Sequence, residues 1–480
     1  MTEDTYFNPF PGLRAFEEDE DYLFFGRDKQ IRELLSKLES THFLAVVGSS
    51  GSGKSSLVKS GLLPSLHKGL IKGIGSGWRI GVSRPGEDPI GNLARCLASK
   101  EFRTDNEIDQ SSHEAMVETT LRRSDEGLNN VVDQFLNNTK ENILIVIDQF
   151  EELFRFSRFE KSENSEQRDS LNFIKLLLGA RSLKNSRIYV VFTMRSDFLS
   201  DCTQFRGLPE AINDGQYLIP RMTREEIRKA ITGPVSMGGA EISPVLVTKL
   251  LNDIGDNPDQ LPILQHAMMR TWDHWSKIND EIPIELGDYL SVGGMDNALS
   301  LHADEAFNEL NEKQQLICAK LFEGLTEKNN SGRGVRRPTM VSELCELSDA
   351  DISDVKRIVE VFRQADRSFL MPPVGTEITE NTVIDISHES LMRVWKTLVN
   401  WVKEEIESAE LFLKLAHAAE GQQIGKVSPW RDPELELSVQ WEARKKPNKT
   451  WADRYDASFE RTINFLDYSV KEKEKLQPIE

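Results

Sequence analysis

The stretch Gly48-Ser49-Ser50-Gly51-Ser52-Gly53-Lys54-Ser55 constrains this chain more than any other. It fits the pattern G-x-x-x-x-G-K-[ST] and lies between an apolar run, "FLAVV" (Phe43 to Val47), and a helix-like one, "KSSLVKSGLL". Such a loop needs a buried strand to deliver it and a helix to leave it. The glycines at 48, 51 and 53 let the backbone wrap an anion, and the first turn of the helix offers amides that have no carbonyl partner within the helix. Lys54 supplies a point charge for the outer phosphates, Ser55 a hydroxyl for Mg²⁺, and Ser50, Ser52 and Ser56 complete the cradle. The expected ligand is a metal-bound nucleoside triphosphate.

Three further apolar runs recur between helix-like stretches: "WRIGVS" (Trp78 to Ser83), "ILIVID" (Ile143 to Asp148) and "IYVVFT" (Ile188 to Thr193). They are nearly unbroken and rich in Val and Ile, as strands of a largely parallel sheet covered on both faces should be. This α/β pattern ends near residue 220. A triphosphate site also needs a carboxylate for the metal and a group that orients the attacking water. Asp148, ending its strand at the ligand-binding edge of such sheets, is the expected metal ligand together with Ser55. Glu151 and Glu152 follow, and one of them is the expected water-orienting base; the spacing does not choose between them, and the reading leans to Glu152. Arg195, at the end of the next strand, is placed to sense the terminal phosphate if that strand runs between the two motif strands. A salt bridge from Arg195 to Glu151, Glu152 or Asp197 is the structural alternative. Arg84 in "SRPGEDP" is in position to reach phosphate or a neighbouring subunit, and the favoured reading is a surface residue.

Beyond residue 220, Thr223 and Glu226 have capping-box spacing, and Ser243-Pro244 reads as a cap followed by a first-turn proline. Between about 305 and 400, helices precede two strand candidates, "SFLMPP" and "TVIDIS", joined by "VGTEITEN"; helices followed by a hairpin suggest a winged helix. The remainder reads as helices with a polar tail. Trp272, Trp275, Trp395 and Trp401 are expected in cores. A formal net charge of −19 disfavours nucleic acid and anionic membrane as default partners. No signal peptide or long apolar run is present, and the four cysteines are widely spaced, so a cytoplasmic protein is expected.

Taken in order, these pieces resemble the STAND class of signalling NTPases, specifically novel STAND family 1. The resemblance spans almost the whole chain, through "FPGLRAFEEDEDYLFFGRDKQIRELLSKL", the phosphate loop, "IDQFEELF", "TMRSDFLSDC", "MTREEIRKAITGP", "LPILQHAMMRTWDHW" and "VIDISHESLMRVW". It implies an α/β P-loop NTPase core with a parallel sheet of ASCE and STAND type over 1–220, a helical lid over 221–300, a winged-helix domain over 301–405 and a C-terminal helical segment over 406–480. It further implies ATP or ADP and Mg²⁺ as cofactors. Phe25, Gly26 and Arg27 would lie beside the adenine, Gly233 and Pro234 would pack on the base, and His388 would touch the ADP β-phosphate.

The function so implied is a slowly hydrolysing switch that changes shape between ADP and ATP states, in bacterial defence or stress signalling. Its expected partners are copies of itself, or separate sensor and effector proteins, since family members usually carry a sensor array after this module; otherwise the chain is part of a longer one. Two alternatives stand beside it. One is a DNA-associated initiator-type ATPase, for which "GRGVRRP" (Gly332 to Pro338) beside the wing is the best support; the other is a nucleotide-binding scaffold without turnover.

Overall fold

Five parallel strands, one more than the apolar runs announce, form the sheet of the N-terminal region: β1 (Phe43–Gly48), β2 (Trp78–Ser83), β3 (Asn142–Ile147), β4 (Ile188–Arg195) and β5 (Gln216–Leu218). The computed structural model describes residues 7–71, 75–102, 109–135, 141–154, 166–181, 187–255, 260–278, 282–328 and 334–476. The strand order is β2-β3-β4-β1-β5, every pairing parallel. β5 escapes the sequence reading because it has three partly exposed residues at a sheet edge, too few to show a period.

The unbroken apolar runs follow from burial on both faces. Phe43, Ala45, Val47, Ile143, Ile145, Ile147, Val190 and Phe192 pack with Ile90, Leu93, Phe150 and Phe173 on one face. On the other, Leu44, Val46, Leu144, Val146 and Val191 pack with Leu34, Leu38, Leu57, Val58 and Leu62. Alternate side chains thus enter alternate cores, the period-2 rule of a strand. Because β4 is inserted between β1 and β3, its end comes level with both motif strands, and Gly48 is the register partner of Arg195.

The chain divides into two compact units, residues 1–11 with 15–290, and 12–14 with 291–480. The first therefore holds the sheet and the helices Arg224–Met237, Pro244–Asp253 and Leu261–Ile278. Thr223 and Glu226 form the expected capping box, and the Ser243 hydroxyl accepts from the Leu246 amide ahead of Pro244. Trp272 is fully buried, edge-on to Phe10 and beside Trp275.

In the second unit, helices Glu312–Gly324, Val341–Ser348 and Ile352–Phe362 precede a β9 (Leu370–Met371), β10 (Val383–Ile386) antiparallel pair. β8 (Thr339–Met340) joins the free edge of β10, while β6 (Thr326–Lys328) and β7 (Gly334–Arg336) form a separate pair. These strands of two or three residues carry no period, so only the β9–β10 hairpin is legible in the sequence. Trp395 fills the core against Phe322 and Phe362, with Trp401 at its edge. Helices Lys396–Gln423, Glu434–Lys445, Lys449–Asp453 and Phe459–Leu476 complete the unit. Residues 477–480 of the polar tail, and Gly332 and Arg333, lie outside the described residues. Among the described residues no helix is long and apolar enough to cross a membrane.

Candidate functional site

Strand β1 delivers a loop that closes on itself. The Ser52 hydroxyl donates to the Ser49 carbonyl at 2.9 Å, and Gly51 and Gly53 have φ of 71° and 84°, the left-handed region where a Cβ is costly. Ser50 lies in the turn between Ser49 and Ser52. Helical structure begins at Lys54 and passes through a π-helical turn, Leu57–Leu62, before resuming at Leu63. The Lys54 ammonium lies over the loop and donates to the carbonyls of Ser49 at 2.7 Å and Gly48 at 3.2 Å. Burial holds its pKa below the usual lysine value, against the opposing pull of Glu151 and Asp148. Ser56 accepts from the Phe16 amide, so the far side of the loop is tied to the N-terminal segment.

Asp148 is almost fully buried at the end of β3. Its Oδ1 accepts from the hydroxyls of Ser55 and Thr193, each at 2.7 Å, joining the ends of the phosphate loop, β3 and β4. Its Oδ2 accepts no hydrogen bond and faces the Arg84 guanidinium at 3.6 Å. Burial pushes this carboxyl up, but Arg84 and the hydroxyls of Thr193 and Ser55 outweigh it and leave the pKa below the ordinary aspartate value. Arg84, read from sequence as a surface residue, is thus drawn to the most buried acid of the site. Only tertiary proximity of the β2 and β3 ends reveals this.

The residue after Asp148 decides which glutamate faces inward. Gln149 has φ 60°, a left-handed conformation uncommon outside glycine, and its amide donates to the Thr193 hydroxyl at 2.9 Å. The turn buries Phe150 against Phe192 and carries Glu151 back toward the sheet, where its Oε2 accepts from the Arg195 amide at 3.3 Å. Glu152 leans instead to the loop after β2 and accepts from the Gly86 amide at 3.1 Å. The Arg195 side chain forms a two-pronged pair with Asp197, at 3.0 and 2.7 Å, and lies over the Phe198 ring. That is the ion pair expected as its structural alternative.

Phe25, Gly26 and Arg27 meet the helix Arg224–Met237. Gly26, at φ 85°, runs so close to the Glu226 carbonyl that a Cβ there would come within 2.4 Å of it. The Phe25 ring packs directly on Gly233, where a Cβ would lie 2.4 Å from the ring. The helix continues through buried Pro234. Arg27 is buried and donates to the carbonyls of Pro220 at 2.9 Å and Ser52 at 3.2 Å, bracing the phosphate loop; burial lowers its pKa, while Glu226 opposes the shift. Gln30 donates to Glu226 at 2.9 Å.

His388 belongs to the second unit. It caps the helix Glu389–Val394, its Nδ1 accepting from the Ser390 amide at 3.1 Å and lying 2.9 Å from the Ser390 hydroxyl. In the same unit Arg336 pairs with Asp385 at 2.9 Å and Arg337 with Glu343 at 2.7 Å.

A family model described as Novel STAND NTPase 1 matches residues 9–426. No curated protein matches the chain. Among solved structures, the chain is similar to the Aeropyrum pernix ORC2 protein in its ADPNP-ADP complexes, at 11% identity and TM-score 0.43, covering 79% of this chain and 93% of that one. It is similar to Cdc6p from Pyrobaculum aerophilum at 13% identity and TM-score 0.33, covering 79% and 94%. A Walker-type ATPase of Pyrococcus abyssi gives 12% identity and TM-score 0.37, covering 80% and 99%.

Proposed function

The chain belongs to the Novel STAND NTPase 1 family of P-loop NTPases, and on that premise we propose that it is an ATP-binding, slowly hydrolysing switch. The observation that carries this reading is the hydrogen-bonded chain Ser55–Asp148–Thr193, which leaves one buried carboxylate oxygen without a hydrogen bond beside the phosphate loop. A hydroxyl and a carboxylate are hard oxygen donors that fit Mg²⁺, with phosphate oxygens and water completing an octahedron. Bound there, Mg²⁺ would neutralise charge on the outer phosphates. Lys54 would exchange its two backbone carbonyls for phosphate oxygens, and Arg195 would exchange Asp197 for the terminal phosphate. Of the two glutamates, Glu151 is the better candidate for the water-orienting base. It lies beside the end of β4 and within electrostatic reach of Lys54, whereas Glu152 is engaged by Gly86.

Phe25 against Gly233, and Arg27 between Ser52 and Pro220, support an adenine site in which the N-terminal segment and lid move as one piece with the loop. The three helices, hairpin and added strand of the second unit support a winged-helix reading, with His388 as its contact to the ADP β-phosphate. Inverting a 1:99 population needs about 10⁴-fold preferential binding, around 5.5 kcal/mol, which metal, Lys54, Arg195 and His388 would supply jointly. The protein would act in the cytoplasm, in bacterial defence or stress signalling, assembling with copies of itself or with sensor and effector partners. DNA association is the weaker reading, because Arg336 and Arg337 are spent on Asp385 and Glu343.

The test is nucleotide content and affinity. The parent should purify with ADP and bind ATP in the presence of Mg²⁺; Lys54→Ala should lose ATP affinity by at least about 100-fold, roughly 2.7 kcal/mol. His388→Ala should weaken ADP retention more than ATP binding. Unchanged ATP affinity in Lys54→Ala would remove the site, and equal effects of His388→Ala on both nucleotides would remove the histidine from it.

A further inference from the structure

Asp148 asks for a cation at Oδ2, and the protein already supplies one. The Asp148 amide donates to the Ser83 carbonyl at 2.9 Å, which continues the β2–β3 pairing past its last register pair and sets the next residue, Arg84, beside the carboxylate. The loop beyond it is pinned. Gly86 donates to Glu152 at 3.1 Å, Pro85 accepts from the Asn92 side chain at 2.7 Å, and Asp88 caps the helix Pro89–Leu97 through the Gly91 amide at 2.9 Å. The guanidinium itself is 42% exposed on its side chain, against 3% for Asp148. At 3.6 Å it compensates charge without a hydrogen bond. A buried carboxylate without a counter-charge is costly, and a carboxylate oxygen that its counter-ion does not hydrogen-bond is open to a metal that can ligate it.

We propose that Arg84 is the resident counter-ion of Asp148 while no metal is bound, and that a divalent cation on Ser55 and Asp148 displaces its guanidinium, so that metal loading is reported to the pinned loop Arg84–Asp88. The inference rests on the metal role given above to Ser55 and Asp148. Arg84 therefore competes with Mg²⁺ rather than assisting it. Removing its charge tightens metal binding and weakens the metal-free protein.

The experiment titrates Mg²⁺ into the full chain with a fluorescent ADP analogue, and records melting in EDTA without nucleotide. Arg84→Gln and Arg84→Met should each lower the Mg²⁺ half-saturation concentration by about 3- to 10-fold, the scale of one partly exposed ion pair. Both should melt below the parent in EDTA, and the gap should narrow when Mg²⁺ and nucleotide are added. An unchanged or raised half-saturation in the folded variants would overturn the proposal. Two uncharged choices are included so that a folding defect in one leaves the other to decide. Asp148→Asn is the separate control and should abolish the Mg²⁺ dependence. If it kept the parent's half-saturation, the metal assignment would fall, a result distinct from unresponsive Arg84 variants.

Discussion

Two clusters of buried charge in this chain use the same residue types and differ in how their charges are met. In the second unit, the Lys445 ammonium lies 2.6 Å from both Glu323 and Glu405. The other oxygen of Glu405 gathers Trp451 and Tyr455 at 2.7 Å and Arg454 at 3.3 Å, and Arg454 also caps the carbonyls of Glu323 and Thr326. At the end of the sheet in the first unit, Lys54 has, among the described residues, only backbone carbonyls within hydrogen-bond reach, and Asp148 Oδ2 has its cation, Arg84, no nearer than 3.6 Å, where Glu405 Oε2 has Lys445 at 2.6 Å. The first arrangement is closed, with acids and bases answering one another across four helices. The second leaves the groups that the proposed triphosphate and metal would engage. Burial and charge alone therefore do not mark a ligand site; a buried group whose best partner is missing from the protein does.

Substitution breaks the two clusters in opposite ways. The largest expected effect is on turnover. Glu151→Gln should lower kcat for ATP hydrolysis by about 10²–10⁴-fold with little change in ATP affinity, the scale of a lost general base, while Glu152→Gln should cost far less. Phosphate release measured in both variants decides the matter, and the reverse order would return the role to Glu152. Next comes Glu405→Ala, which leaves Lys445 with Glu323 alone and takes from Arg454 its carboxylate partner. It should destabilise the second unit by about 3–5 kcal/mol, the usual cost of removing one partner from a buried ion pair. Denaturant unfolding followed by tryptophan fluorescence measures this, since Trp441 and Trp451 lie in that core. Nucleotide affinity of the folded Glu405→Ala protein should match the parent. If it fell in step with stability, the closed cluster would be part of the switch.

The two clusters also differ in how far the sequence exposes them. Glycines and lysine at fixed spacing after an apolar run define the phosphate loop, and Asp148 is legible because it ends such a run. The capping box at Thr223 is equally local. What stays hidden depends on tertiary packing. The left-handed turn at Gln149 is imposed by burying Phe150 on Phe192, and it alone decides that Glu151 rather than Glu152 returns toward β4. Arg84 reaches Asp148 only because β2 pairs with β3, where Ile80 faces Leu144 across 64 positions of sequence, a separation that no local pattern reveals. The Glu323–Lys445–Glu405 cluster joins residues up to 122 positions apart and has no spacing signature at all. Short strands β5 and β8 are missed for the simpler reason that two or three residues cannot display a period.

The smallest effect sharpens the comparison by pH. Burial pushes the Glu323 carboxyl up to about 7, beyond what Lys445 and Arg454 can pull back and with Glu405 adding to the rise. A carboxyl whose folded pKa lies above its unfolded value holds more protons in the folded state between those two values, so its contribution to stability falls as pH rises across that window. For Glu323 the window runs from about 4.5 to about 7. The neighbouring Glu405 shifts the other way: burial raises its pKa, but Lys445 and Arg454 outweigh burial and leave it lowered, so its stabilisation is present at higher pH and is lost only on acidification. Glu323→Gln removes the first contribution and spares the second. Relative to the parent, the variant should lose the downward slope of stability between pH 5 and 7, a difference no steeper than about 1.4 kcal/mol per pH unit, the limit for one proton. Denaturant midpoints of both proteins across that range read it directly. Parallel curves would mean that Glu323 is already ionised in the folded chain, with Lys445 and Arg454 together balancing the two carboxylates.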